Sequence, residues 1–282
     1  MASKPIIALL YDFDKTLCTT DMQNYTFIPS LNIKPNEFWK AADKMSKDNE
    51  MDELLAYMYL MIEEAKKKNL PINRESFVQM GKNIKYFPGV EGWFPRVNAY
   101  GESKGVEIQH YVISSGNKEI IEGSSVYKYF KKVFACEFLY LNDCAVWPKS
   151  VVNYTTKTQF LFRINKGVLD ISDNNRVNES VPHEERTVPF RNMIYIADGL
   201  TDVPCMKLVR EKGGASIAVY GRGKKPIAQQ LFNDGRVDYL TEADYSPDSK
   251  IEAIVKLLID KMSVQDTLCR IHYKQANGGS DN

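Results

Sequence analysis

Disulfide chemistry has little to work with in this chain. Its five cysteines (Cys18, Cys136, Cys144, Cys205 and Cys269) are odd in number, scattered, and form no CxxC pair. A disulfide framework and a zinc knuckle are therefore excluded. Histidine is scarcer still. His110, His183 and His272 are the only three, and their spacing suits neither a metal site nor a triad, so structural roles are expected of them. Charge of one sign is also missing. Lys plus Arg is 37 and Asp plus Glu is 36, a balance of +1 that argues against a nucleic-acid partner. No hydrophobic run approaches the ~20 residues of a membrane span. The early apolar stretch Ile6–Tyr11 is also too short for a secretory signal. These absences lead to the expectation of a cytoplasmic chain that binds no membrane. What is present is a hydrophobic share of 44% in 282 residues, enough for a real core in one or two domains.

Short apolar runs alternate with helical patterns. Ile6–Tyr11, Glu107–Ile113, Met193–Ala197 and Ser216–Tyr220 read as buried strands, with Val133–Phe138 and Val237–Leu240 as weaker ones. Ile251–Met262 carries apolar residues at helical spacing. The expected fold is α/β, a Rossmann-like parallel sheet with helices on both faces. Between residues 18 and 85 no strand is convincing. Pro35 and Asn36 open a helix bearing Phe38, Trp39 and Ala42, Met51 to Ala65 repeats at helical spacing, and Asn73 caps another helix. This region is read as a helical cap inserted into an α/β core of residues 1–17 and 86–282. Its Met and aromatic stripe is read as packing. Gly278–Asn282 reads as a disordered tail.

Candidate chemistry gathers where strands end. Asp12 and Asp14 follow the first strand in Tyr11-Asp12-Phe13-Asp14-Lys15-Thr16. Carboxyl ends of parallel strands are where open α/β sheets place ligands. Ser114, Ser115 and Gly116 close the second strand and offer an Oγ and backbone N–H groups to a phosphate at a helix start. Asp198 and Asp202 follow Met193–Ala197. Four acids at one sheet edge call for a cation, and hard oxygen donors suit Mg²⁺. Gly221-Arg222-Gly223-Lys224-Lys225 lacks the full order of a phosphate loop and is read as a basic turn. Cys18 and Cys205, close to these segments, are read as inert packing.

This set of motifs resembles the haloacid-dehalogenase-like superfamily of phosphohydrolases, in layout its phosphoserine-phosphatase-like branch. The resemblance spans about Ile6 to Tyr220 and includes DxDxT, a strand-ending Ser, a helix-borne Lys and an acid pair of D(x)₃D form. For the lysine, Lys157 has the expected apolar continuation at Phe160, Leu161 and Ile164, and Lys166 is the second choice. The resemblance implies that Asp12 is a nucleophile forming an aspartyl-phosphate and Asp14 a general acid and base. It implies phosphate binding by Ser114, Ser115, Gly116 and Lys157. It also implies Mg²⁺ held around Asp12, the Asp14 carbonyl, Asp198 and Asp202. The implied activity is hydrolysis of a small phosphorylated metabolite. A phosphotransferase and a non-catalytic phosphate-binding module stand as alternatives. Two departures bear on the substrate. Asp21 stands where the branch holds a substrate amine with glutamate, and no cap arginine is evident beyond the distant Arg74. The long connection Gly167–Asn192 is read as a lid, an oligomer contact or neither.

Overall fold

The computed structural model describes residues 4–276, so the expected tail Gly278–Asn282 lies outside the described residues. After β1 (Ile6–Tyr11) come a four-residue turn of helix, α1 (Phe27–Ser30), then α2 (Pro35–Asp48), α3 (Glu53–Lys67) and α4 (Arg74–Met80). The chain continues through α5 (Val90–Ser103), β2 (Glu107–Asn117), α6 (Lys118–Glu122), β3 (Phe130–Leu141), β4 (Cys144–Ser150) and α7 (Thr156–Lys166). A short α8 (Asn174–Asn178) precedes β5 (Met193–Ala197), α9 (Val203–Glu211), β6 (Ala215–Tyr220), α10 (Lys225–Asn233), β7 (Tyr239–Glu242) and α11 (Lys250–Ala276).

The strands form one seven-stranded sheet in the order β4-β3-β2-β1-β5-β6-β7. Every pair is parallel except β3–β4. The chain leaves β1 for β2 on one side and later returns as β5 on the other. The carboxyl ends of β1 and β5 therefore flank the point where strand order reverses, the place such sheets bind ligands. Both strands are almost entirely buried, which is why they read as unbroken apolar runs.

Local chemistry sets the helix starts in residues 18–85. Pro35 begins α2, and the Asp52 carboxylate caps α3 by accepting from Leu54 N at 2.8 Å and Leu55 N at 3.3 Å. Asn73 caps α4 through Ser76 N at 2.7 Å, as its sequence position suggests. The outgoing and returning chains run side by side, Thr19 N donating to Lys85 O and Phe87 N to Leu17 O, each at 3.0 Å. The core is continuous across this junction, and Phe77 of α4 stacks on Phe138 of β3 at 5.5 Å. Helices α4 and α6 touch backbone to backbone. A Cβ on Gly123 would stand 1.7 Å from the Val78 carbonyl oxygen, so only glycine fits there.

The structure corrects several sequence expectations. β2 runs on to Asn117 through a register irregularity after Ile113, so Ser114 to Gly116 lie within the strand. β3 is longer than Val133–Phe138, and the antiparallel β4 was not anticipated. Its signal is the Asn142-Asp143 pair, both at positive φ (50° and 62°), which turns a tight hairpin. β7 begins at Tyr239, two residues beyond the expected Val237. α11 spans 27 residues, well past Met262.

His110 is structural, as expected. Trp93 Nε1 donates to the Tyr11 hydroxyl at 2.9 Å, and Tyr11 and Asn98 hold the two ring nitrogens of His110 at 3.0 and 2.8 Å. Because the Asn98 amide oxygen can only accept, Nε2 carries the ring proton, and Nδ1 of the neutral ring accepts from the Tyr11 hydroxyl. Burial holds His110 neutral, with its pKa lowered to about 3.

Candidate active site

Asp12 is the first residue beyond β1, and its N–H donates to Ile196 O of the adjacent β5 at 3.0 Å. That bond brings the acid beside the loop carrying Asp198. A cavity of about 270 Å³ opens here, lined by Asp12, Asp14, Ser114, Ser115, Lys157 and Asp198, with Lys15, Asp21 and residues from the helical segment. Larger grooves elsewhere on the surface hold none of these residues. The sheet thus brings together acids separated by 186 positions in sequence.

Lys157, fully buried on α7, reaches Asp12 Oδ1 at 3.1 Å and Asp202 Oδ1 at 2.8 Å. Lys166, the second candidate, instead donates to the carbonyls of Val177 (2.7 Å) and Glu179 (2.5 Å), away from the cavity. Burial works against the Lys157 charge, but Asp12 and Asp202 more than compensate and hold its pKa above the ordinary value. Burial raises Asp12 to about 7, opposed by Lys157 and reinforced by Asp202 and Asp198. Asp198 is raised to about 6 by burial and by Asp202. Asp14 stands well above the carboxylate range because of burial, then Asp21 and Asp12. Its Oδ1 is fixed by the Met22 N–H at 2.8 Å.

Three of the expected site residues are already engaged by neighbours. Asp202 does not line the cavity; one oxygen accepts from Lys157 and from Tyr195 (2.6 Å), the other from Thr201 (2.9 Å). With both oxygens engaged, it holds Lys157 in place from behind the cavity wall. Gly116 does not line the cavity either, because its N–H is engaged by Ser114 Oγ at 3.0 Å. Its missing side chain makes room for Met22 and Asp14. Asp21 does reach the cavity but is paired with Lys15 Nζ at 2.6 Å, so its charge is already met.

Other expectations resolve more simply. Arg74 pairs with Glu122 outside the cavity. None of residues 167–192 lines it; Arg163 binds the carbonyls of Asp170, Ile171 and Asp173 and fastens that connection to α7. Cys18 and Cys205 are buried, with thiol pKa values pushed up chiefly by burial. Lys15, Gln23, Trp39, Leu54 and Tyr57 line the cavity without having been singled out for it. Trp39 and Leu54 belonged to the stripe read as packing. Only the location of that stripe, in an insertion directly after Asp14, could have marked it.

Among the described residues, no group of three or more His, Cys, Asp or Glu side chains is placed to hold a metal ion. The donors at hand are two carboxylates, Asp12 and Asp198, with backbone oxygens. Hard oxygens, whose two acids are raised by burial and by neighbouring negative charge, suit a divalent cation.

No protein-family model matches the chain. An uncharacterised protein of Borreliella burgdorferi is 31% identical over 280 residues, covering 87% of this chain and 94% of its own length. Among solved structures, a HAD family hydrolase from Salmonella enterica serovar Typhi has a TM-score of 0.51 at 16% identity, covering 78% of this chain; this chain spans 64% of its length. A phospho-aspartyl intermediate analogue of phosphoserine phosphatase has a TM-score of 0.53 at 15% identity, over 90% of this chain and 99% of that one. The fold is thus haloacid-dehalogenase-like, of the phosphoserine-phosphatase type. Within it, the chain belongs to the family of the Borreliella burgdorferi protein.

Proposed function

We propose that the chain is a Mg²⁺-dependent phosphatase that hydrolyses a small phosphomonoester through an acyl phosphate on Asp12, with residues 18–85 as its cap. The observation that carries this reading is the placement of Lys157 Nζ 3.1 Å from Asp12, lining the same cavity as Asp14, whose carboxyl pKa burial holds well above the usual range. An Asp12 oxygen attacks phosphorus and the bond to the leaving alcohol breaks, while Asp14 gives its proton to the departing oxygen. Asp14 then takes a proton from water, whose oxygen attacks the same phosphorus and releases phosphate and the Asp12 carboxylate. Lys157 and Ser114 hold the phosphoryl oxygens, with Lys157 locked in place by Asp202, Tyr195 and Thr201. Asp12, Asp198 and the Asp14 carbonyl would hold Mg²⁺, which when bound neutralises the charge that opposes attack of one anion on another. The solved phospho-aspartyl analogue of phosphoserine phosphatase supports the covalent step by its likeness of fold.

Incubation with p-nitrophenyl phosphate tests the proposal. Phosphate release is expected with Mg²⁺, is lost on chelation, and falls by about 10³-fold or more in Asp12→Asn, since one unit of acting groups is removed. Absence of turnover across small phosphoesters would overturn it.

A further inference from the structure

The part of the cavity beyond the phosphate end has a definite chemical character. Three carboxylates (Asp12, Asp21 and Asp198) line the cavity beside the proton-donating Asp14, against two lysines, and among the described residues no arginine does. Both lysines are taken, Lys15 by Asp21 and Lys157 by Asp12 and Asp202. A divalent cation and a phosphate dianion cancel each other, so the cavity keeps an excess of negative charge with both bound. A leaving group bearing a carboxylate would add to that excess and find no free cation. One bearing an ammonium would reduce it.

The cap side offers acceptors and ring faces. Trp39 gives its indole N–H to Asn24 Oδ1 at 3.0 Å, and Tyr57 gives its hydroxyl proton to Ser115 O at 2.8 Å. Their polar ends are thereby occupied, and the two rings meet at 62° with centroids 5.7 Å apart. Gln23, only 1% exposed, lines the same cavity as these rings and the acids. Its amide Nε2 donates to Asn117 Oδ1 at 2.8 Å, while its Oε1 has no partner. A buried acceptor without a donor is costly unless a ligand supplies one. Aromatic rings lining the same cavity favour a cation.

We infer that the substrate is a phosphorylated amino alcohol. Its protonated amine donates to Gln23 Oε1 against the faces of Trp39 and Tyr57, and it carries no carboxylate. This rests on the phosphatase reading above and deepens it.

The test compares kcat/KM of the intact Mg²⁺-loaded protein for four esters. O-phosphoethanolamine carries the amine, n-propyl phosphate replaces it with a methyl group, O-phosphoserine adds a carboxylate, and p-nitrophenyl phosphate reports the chemistry alone. Phosphoethanolamine is expected to exceed propyl phosphate by about tenfold or more, the effect of one hydrogen bond to a charged group. Phosphoserine should fall below both. In Gln23→Met the preference for phosphoethanolamine over propyl phosphate should shrink toward one, chiefly through KM. Turnover of p-nitrophenyl phosphate with phosphoserine preferred, or with the amine and methyl esters equal, overturns this inference alone. Inertness toward all four overturns the phosphatase reading and this inference with it.

Discussion

Replacing Lys157 with methionine keeps the length of the side chain and removes its charge. In the native protein that charge lies between Asp12 and Asp202 with every participant buried. Removing one partner of a buried ionic cluster typically costs about 3–5 kcal/mol, because the remaining carboxylates are left unpaired. For a domain of this size that corresponds to a fall in melting temperature of roughly 6–20 °C. Asp12 is already raised to about 7 with the lysine present, and losing its largest opposing influence raises it further. At pH 8 the variant therefore has an unpaired charge to accommodate or a proton to take up. At pH 5 Asp12 is protonated in both proteins, and its share of the difference disappears. The stability gap between native and variant should accordingly narrow on acidification. Thermal unfolding at pH 8 and pH 5 reads this directly. Lys166→Met, on the same helix but bonded to carbonyls of the neighbouring connection, serves as a comparison expected to lose about 1 kcal/mol. A Lys157→Met melting point within 2 °C or so of native at pH 8, or a gap that widens at pH 5, would refute the reasoning.

Two further outcomes follow from groups outside the cavity. His110 is neutral in the fold with a pKa of about 3, against about 6.5 in an unfolded chain. Above pH 6.5 it contributes no pH dependence; as pH falls from there toward 3 only the unfolded chain takes the proton, so stability declines. Between pH 7 and 4.5 this amounts to about 2–3 kcal/mol, and urea midpoints should show that much less decline in His110→Gln. Gly123→Ala should destabilise by about 3 kcal/mol or more, since its methyl meets the Val78 carbonyl oxygen and neither backbone can yield cheaply. A denaturation midpoint equal to native would show that α4 and α6 do not approach as described.

The parallel sheet was legible because buried parallel strands carry continuous apolar runs, and Ile6–Tyr11 and Met193–Ala197 match their observed bounds. β4 was not, because Cys144–Ser150 is an edge strand with alternating exposure and contains Pro148, so no apolar run announces it. Asp12, Asp14 and Asp198 could be placed because strand ends fix their backbone positions. Spacing could not show that Asp202 and Gly116 lie off the cavity lining. Whether a side chain faces the cavity or braces a neighbour depends on which hydrogen bonds it makes, and Tyr195, Thr201 and Ser114 supply those from distances the sequence does not encode. Gln23 and Trp39 were hidden for a related reason: a helical stripe has the same spacing whether it covers a core or a cavity.

The two walls of the cavity are fastened differently. Tyr57 is pinned to Ser115, and at the start of the same helix Asp52 and Glu53 take hydrogen bonds from Asn153 and Tyr154 across the junction. For α2, which carries Trp39, every hydrogen bond and ion pair among the described residues stays within residues 24–51. Its hold on the rest is apolar contact, as at Trp39 against Tyr57. Apolar contact has no preferred direction, so it can slide where a hydrogen bond would have to break. The cavity is thus built like a bench vice, with one fixed jaw and one travelling jaw. On the phosphatase reading proposed above, leaving groups of different girth would be gripped along that single axis, while the end bolted to the sheet keeps its dimensions.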